Sequence, residues 1–458
     1  MESSNRRGFL KDAAVAGLAA APAVHKAWGQ ASPSDQINLG VIGFRGRGRD
    51  HIRAFTRIPG VRVAYLCDVD ERLFPDAVAE VEKAGGYRPQ TFFDMRKLFE
   101  QKDLHAVSIA VPDHWHALAT IWACQAGKDV YVEKPVSYTL REGRKMVDAA
   151  RKYNRMVQAG LNRRSERRNI AAVRFIREAK FGPCYRARAV VYRGRTSIGH
   201  VTESSVPQGV HWDLYRGPAP MTAFTLNRFH YGWHYSWETA TTELGNNGVH
   251  ALDIVRWAIN KNVHPVKIHC HGGLFVDKSD QETPNCQFVS YQYADGAIVE
   301  ADVTTLPSPS FGGVQMGEFF YTPQGYVTSA QKWSTMLGDF VPGQTPDPPS
   351  GVSLRASNLS FPKISYKPGP PIPDVEGAEG SHFQNFINCV RSRKREDLHC
   401  EILEGHMSTS LCHLGNIAFR TGRKLTFDPA TETFPGDAEA NRYLTRQYRA
   451  PFVVPDKV

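Results

Sequence analysis

The stretch Ile109 to Ser137, IAVPDHWHALATIWACQAGKDVYVEKPVS, decides how the rest of the chain is read. It gives a short buried strand ending at Val111, a turn through Pro112, and a helix from about His114 to Ala126 stopped by Gly127. A second strand, DVYVE, ends at Lys134-Pro135. Two parallel strands joined by a helix end on the same edge of their sheet, and open α/β sheets bind ligands at that carboxyl edge. His116 and Lys134 are therefore candidates to face one bound molecule.

Upstream, INLGVIG followed by FRGRGRDHIRAF reads as an apolar strand, a glycine turn and a helix. The turn Gly43, Phe44, Arg45, Gly46, Arg47, Gly48 gives the backbone room to approach a pyrophosphate, whose charge a helix N-terminus favours. Gly43 and Gly48 match the first and third places of the dinucleotide fingerprint, and Arg45 stands in the second. The next strand, VRVAYLC, ends at Asp68, 20 residues beyond Gly48, where a carboxylate can accept hydrogen bonds from ribose hydroxyls. Asp68 would repel a 2′-phosphate, which points to NAD; Arg45 and Arg47 keep NADP as the alternative. An amphipathic helix over Glu71 to Lys83, a strand at QTF, a helix capped by Asp94, a capping box at Thr139 to Glu142 and a strand MVQAG then complete a six-strand doubly wound sheet by about residue 160.

AVPDHWH followed by GKDVYVEKP, behind that glycine turn, resembles the Gfo/Idh/MocA family of sugar oxidoreductases (glucose-fructose oxidoreductase, inositol dehydrogenase and relatives), and the resemblance runs from Ile37 to the C-terminus. It implies a nicotinamide cofactor held by Gly43 to Gly48, Asp68, Val111, Pro112, His116, Glu133 and Lys134, with Asp113 where relatives often carry Asn. It also implies that His250 is the acid/base histidine and that the position four before it is Asp; here that position is Asn246. Asp253 and Glu243 are the two carboxylates that could take its place. Oxidising a secondary alcohol needs a base on the hydroxyl and a cation beside the developing alkoxide, which makes Lys134 and His250 the catalytic candidates.

In the second half, IAAVRFIREAKFG reads as a helix and CYRARAVVYR as a strand. Beyond an aromatic-rich stretch, Val249, Leu252, Val255 and Ile259 recur at helical spacing, with Asn246, His250 and Asp253 on a neighbouring face. His230 and His234 have metal-ligand spacing only if helical; Gly232 between them predicts a loop, so no metal is expected, and His230 and Trp233 are taken with Asn246 and Asp253 as substrate contacts. The runs VKIHCHGG, CQFVSYQY, AIVEADV and GEFFYTP, with Asp295-Gly296 as a hairpin turn, predict an open, mostly antiparallel sheet, which relatives use to form oligomers. The expected architecture is an α/β N-terminal Rossmann domain (36–161) and a C-terminal α+β domain (162–458) carrying a Pro-rich arm at 338–380 and helices within 381–422, assembled as a homodimer or homotetramer.

The chain has 458 residues with 41% apolar and 11% aromatic, enough for two cores. Its +10 charge is spread thinly except in NRRSERRN, residues 162–169, read as a solvated or cofactor-facing loop because no aromatics interleave, so no nucleic-acid partner is expected. Eight cysteines show no metal spacing and several lie in apolar runs, predicting buried thiols without a required disulfide. Asn5-Arg6-Arg7-Gly8-Phe9-Leu10-Lys11 followed by AAVAGLAAAPAV resembles a cleavable twin-arginine signal within residues 1–31, implying export and no membrane span in the mature chain. The expected activity is hydride transfer between a secondary hydroxyl of a sugar, polyol or glycoside and a tightly bound nicotinamide. Cleavage of a glycoside through transient oxidation and elimination is the alternative, and a non-catalytic nucleotide-binding sensor is the reading from another class.

Overall fold

The computed structural model describes residues 36–330, 333–338, 365–373, 375 and 380–458; residues 1–31, expected to be a signal, and most of the Pro-rich arm lie outside them. Six parallel strands, β1 (Ile37–Ile42), β2 (Val61–Cys67), β3 (Gln90–Phe92), β4 (Ala106–Ile109), β5 (Asp129–Val132) and β6 (Val157–Ala159), form a sheet of order β3-β2-β1-β4-β5-β6. The order reverses between β1 and β4, so a crevice opens at their carboxyl ends. β4 leaves its ladder at Ile109, two residues before Val111, and Pro112 caps a helix, α4 below, that begins at Asp113.

Helices α1 (Arg47–Phe55), α2 (Phe74–Gly85), α3 (Met95–Phe99), α4 (Asp113–Gln125) and α5 (Leu140–Lys152) cover the faces. The helix expected from Glu71 starts instead at Phe74, after a 3₁₀ turn over Glu71–Leu73, because Pro75 is tolerated only in a first turn. Asp94 caps α3, and the Thr139–Glu142 capping box opens α5. α4 is buried from Asp113 to Cys124 apart from Trp122, which explains why its apolar residues are not confined to one stripe.

A second sheet holds nine strands: β7 (Arg186–Tyr192), β8 (Lys267–Gly273), β9 (Cys286–Gln292), β10 (Ile298–Thr304), β11 (Met316–Thr322), β12 (Gly325–Thr328), β13 (Ser334–Gly338), β14 (Tyr366–Pro368) and β15 (Leu425–Thr426). Their order is β14-β13-β12-β11-β7-β10-β9-β8-β15, with every pair antiparallel except β7 and β10. The β9–β10 hairpin turns at Asp295-Gly296, where Gly296 takes φ +86°. Helices α6 (Arg167–Arg177), α7 (Val249–Ala258), α8 (His382–Ser392) and α9 (Ile402–Thr421) follow the expected positions. One apolar core runs from Val107 and Val130 of the first sheet to Val289 and Val303 of the second, and Ile37–Val458 form one compact unit.

The arginine-rich octamer fits its reading as a solvated or cofactor-facing loop only in part: Glu166, Arg167 and Arg168 are exposed and Asn162 lines the cavity described below, but its first two arginines are paired inside the fold. Asn162–Ser165 is a 3₁₀ turn that buries Arg164 against Asp253 and Glu404, while Arg163 pairs with the buried Glu318. Paired charges can be buried where free ones cannot. All eight cysteines are free thiols, six of them buried.

Candidate active site

Seven groups that the two halves of the fold bring together line one cavity of about 480 Å³: Asp68, Asp113, Lys134, His230, His234, Asn246 and His250. Its floor is the glycine turn. Gly43 adopts φ +78°, and a side chain there would meet the Ala110 carbonyl at 2.7 Å. At Gly48 a Cβ would lie 1.8 Å from the Gly43 carbonyl, so this glycine packs helix α1 onto the turn and does not itself line the cavity. Above Gly46 nothing lies within 4 Å. Open backbone at the start of α1, whose first amides have no intrahelical acceptor, suits a pyrophosphate. Phe44, Arg45 and Arg47 complete this wall, Phe44 through its backbone because its ring is buried against Phe74.

The Asp68 carboxylate accepts the Phe44 N–H at 2.9 Å and the Asp70 N–H at 3.0 Å. Burial pushes its pKa up to about 6 against those two hydrogen bonds. Its remaining lone pairs are free for hydroxyl donors, so the turn and the acid together fit a dinucleotide.

Val111 and Pro112 line the next stretch. His116 also borders the cavity, but its ring is committed: Nδ1 lies 2.6 Å from the Pro135 carbonyl and Nε2 2.8 Å from the Val111 carbonyl. It fixes the loops on either side rather than offering a free nitrogen. Burial disfavours the Glu133 carboxylate, yet His51 and Arg47, both at 3.0 Å, hold it well below the usual range. Glu133 in turn accepts the Lys134 N–H at 3.2 Å.

Lys134 Nζ donates to the Asn246 carbonyl at 2.6 Å and to Asn246 Oδ1 at 3.1 Å, which leaves one of its three N–H groups uncommitted. Burial lowers its pKa, opposed by Glu133 and Asp113. Asp113 accepts both the Thr241 N–H and hydroxyl, and burial pushes it up to about 7.

Asn246 lies in a π-helical turn, Leu244–Gly248, that runs directly into α7 with His250. Such turns recur at functional sites because they displace a side chain from the regular spiral. Burial, with the Lys134 charge adding, pushes His250 down to about 3, and its Nδ1 is buried without a hydrogen-bond partner. Neither candidate carboxylate takes the place of the missing Asp. Asp253 does not reach the cavity; it is fully buried against Arg164, at 2.7 and 2.9 Å, and Ser408 at 2.6 Å. The expectation that Asp253 contacts substrate is corrected accordingly. Glu243 is held by Arg195, Asn246 and Asn247, and so touches Lys134 only through Asn246.

His230–Tyr235 is a 3₁₀ helix, so His230 and His234 do not share a face. His230 pairs with Asp70 at 3.0 Å, and Trp233 stacks on His234 with ring centres 3.6 Å apart. Both His230 and Trp233 line the cavity. Asp113, in the segment expected beside the nicotinamide, and Tyr231, in the aromatic stretch expected to face a sugar, also line the cavity; Tyr215 and His234 line it without having been expected there. Among the described residues, His264, His406 and Glu432 could be spanned by a metal ion. They lie outside this cavity, and Arg144 already occupies both Glu432 oxygens, completing the network without a cation.

The sequence matches the family described as "Oxidoreductase family, NAD-binding Rossmann fold" over residues 37–161 and its "C-terminal alpha/beta domain" over 189–309 and 370–454. A curated relative, "Glycosyl hydrolase family 109 protein" of Shewanella baltica, is 28% identical over 239 residues, 47% of this chain and 52% of the relative. The chain thus spans about half the length of the curated relatives it matches. The WlbA dehydrogenase from Bordetella pertussis, solved with NADH and UDP-GlcNAcA, superposes with TM-score 0.60 at 18% identity, covering 86% of this chain and 99% of that one. The aldose-aldose oxidoreductase from Caulobacter crescentus gives 0.56 at 16%, covering 86% and 100%. A matched NAD-binding half, a matched C-terminal half and a shared fold place the chain in the Gfo/Idh/MocA family of NAD-dependent oxidoreductases.

Proposed function

We propose that the protein oxidises a secondary hydroxyl of a sugar, polyol or glycoside, with His250 taking the hydroxyl proton and Lys134 supporting the oxygen as it becomes an alkoxide. The observation that carries this reading is the convergence of Lys134, from the end of β5, and His250, from α7, on the cavity bordered by the glycine turn and Asp68. When bound, NAD supplies the hydride acceptor. The neutral imidazole of His250 has a lone pair at any physiological pH. The uncommitted N–H of Lys134 can meet the substrate oxygen, and the other two, fixed on Asn246, aim it. Asn246 therefore acts as a rest for the ammonium. A carboxylate there would hold the lysine more tightly and compete with the substrate. The test is a screen of sugars, polyols and glycosides that follows the absorbance of the bound nicotinamide. A change with any of them also removes the sensor reading; no change with all of them overturns the oxidoreductase assignment to this cavity.

A second reading is favoured by the glycosyl hydrolase family 109 relatives. In it the oxidation is transient, and the ketone serves to acidify a neighbouring C–H so that an aglycone can be expelled. The twin-arginine-like Asn5 to Lys11 supports the same reading, because an exported protein has no pool of free nucleotide and must recycle the one it carries. Incubation with glycosides and no added nucleotide separates the two. Repeated turnover supports internal recycling, and activity only with excess NAD supports net oxidation.

A further inference from the structure

We propose that His234 is a second proton carrier in this cavity, taking the C–H proton beside the transient ketone while His250 handles the hydroxyl. The assignment rests on the glycoside-cleaving reading and extends it. Elimination needs two bases with different targets; besides His250, the cavity imidazole set beside Lys134 is His234, whose ring reaches the same Asn246 amide that Lys134 holds. His116 is buried and has both nitrogens on carbonyls. His230 is turned to Asp70.

The tautomer of His234 is set by its neighbour. Nδ1 lies 3.0 Å from the Tyr231 carbonyl, which can only accept, so Nδ1 carries the proton and Nε2 carries the lone pair. Trp233 stacked on the ring holds its plane. The Asn246 side chain is within hydrogen-bonding reach of the ring, and the same side chain accepts from Lys134. His234 and the ammonium thus flank one amide. The charged groups near the ring are Lys134 and the Arg195–Glu243 pair; burial, with the two cations adding, lowers its pKa to about 3 and keeps it neutral, and Lys134 favours an anion forming on the substrate oxygen.

The chemistry balances. The proton of the carbon beside the ketone passes to His234, and the C–H electron pair becomes the enolate double bond, its oxygen charge facing Lys134. The enolate expels the aglycone as an alkoxide with the electrons of the glycosidic C–O bond, and the alkoxide takes the proton that water gives up as its oxygen bonds to the anomeric carbon. Water adds to the resulting enone, His234 returns its proton to carbon, and the hydride and proton first removed are restored. Glycoside and water give sugar and alcohol, with no net oxidation.

The test compares wild type, His234→Asn and His250→Asn on p-nitrophenyl α- and β-glycosides in deuterium oxide. Asn retains a donor for the Tyr231 carbonyl and lacks the base; His234→Ala serves if it folds poorly. Nitrophenol release should fall about 10²-fold or more in His234→Asn. Deuterium should no longer enter the carbon beside the oxidised one, while reduced nicotinamide still forms in a single turnover. His250→Asn should lose the reduced nicotinamide as well. Wild-type rates of release and deuterium uptake in His234→Asn overturn the assignment, as does loss of reduced nicotinamide equal to that in His250→Asn. Wild-type protein that forms reduced nicotinamide yet neither releases nitrophenol nor takes up deuterium overturns the glycoside-cleaving reading itself, and the assignment with it.

Discussion

The two walls of the cavity are built on opposite plans. On the Rossmann side most polar groups are held by the protein itself, Glu133 by Arg47 and His51 and His116 by two carbonyls, while Asp68, fixed by two amides, keeps its other lone pairs for ribose hydroxyls. On the facing side, across residues 230–250, His250 keeps a nitrogen unpartnered and His234 keeps a lone pair, and both lie on or beside 3₁₀ and π segments. A wall whose groups satisfy one another can hold a cofactor rigidly, and a wall with unspent groups can do chemistry. Lys134 belongs to the first by position and to the second by its one free N–H.

This contrast breaks most sharply at the shared residues. Replacing Lys134 or His250 by Ala should lower turnover about 10²- to 10⁴-fold with the thermal transition little changed, and near-normal turnover in both would move the chemistry elsewhere. The next effect is on stability. Asp253→Ala leaves Arg164 buried beside a missing partner, at a cost of about 3–5 kcal/mol in urea unfolding. A stable Asp253→Ala protein with a raised KM would return that residue to the cavity. On the cofactor wall, Asp68→Ala should weaken NAD about 10- to 100-fold, the loss of a charged acceptor worth about 1.5–3 kcal/mol, and narrow its lead over NADP. Equilibrium dialysis with each nucleotide measures it; unchanged NAD affinity would remove Asp68 from the ribose.

The last effect is a pH dependence. Burial pushes His234, His250 and His413 down to about 3 and His382 and His406 to about 4. The unfolded chain protonates these imidazoles near pH ~6.5, so it binds more protons than the folded protein below that value. Their contribution to stability is complete above pH ~6.5 and is lost as pH falls toward the folded values, by up to about 1.4 kcal/mol per pH unit for each group. Asp113 runs the other way: raised to about 7, its contribution is present at acid pH and is lost as pH rises through that value. Thermal melts from neutral pH downward should show falling stability; a flat profile to about pH 4 would mean these rings are solvated in the folded state.

The two walls also differ in how much of them the sequence reveals. β1, the glycine turn, α1, β2 and Asp68 follow from periodicity and spacing because each element is regular and the ligand edge is a property of the topology. Lys134 was legible for the same reason. On the opposite wall His250 came from resemblance, and Asp253, three residues on along the same regular helix, is taken instead by Arg164, a partner that its spacing from His250 does not reveal. Arg163 and Arg164 looked like surface because their partners, Glu318 and Asp253, are distant in sequence. His234 was seen as half of a metal spacing, and only the Tyr231 carbonyl, through the 3₁₀ turn, shows which nitrogen is free.

The π turn at Leu244–Gly248 makes the site a matter of counting as well as chemistry. A π turn holds one residue more than the α-helical path it replaces, an insertion absorbed without a loop. Each residue advances a helix by about 100°. The angular relation between Asn246, on which the lysine rests, and His250 is therefore set by that extra residue. A chain with the same side chains and one fewer position between Glu243 and His250 would spell the same motif and point its lysine rest and its histidine in different directions.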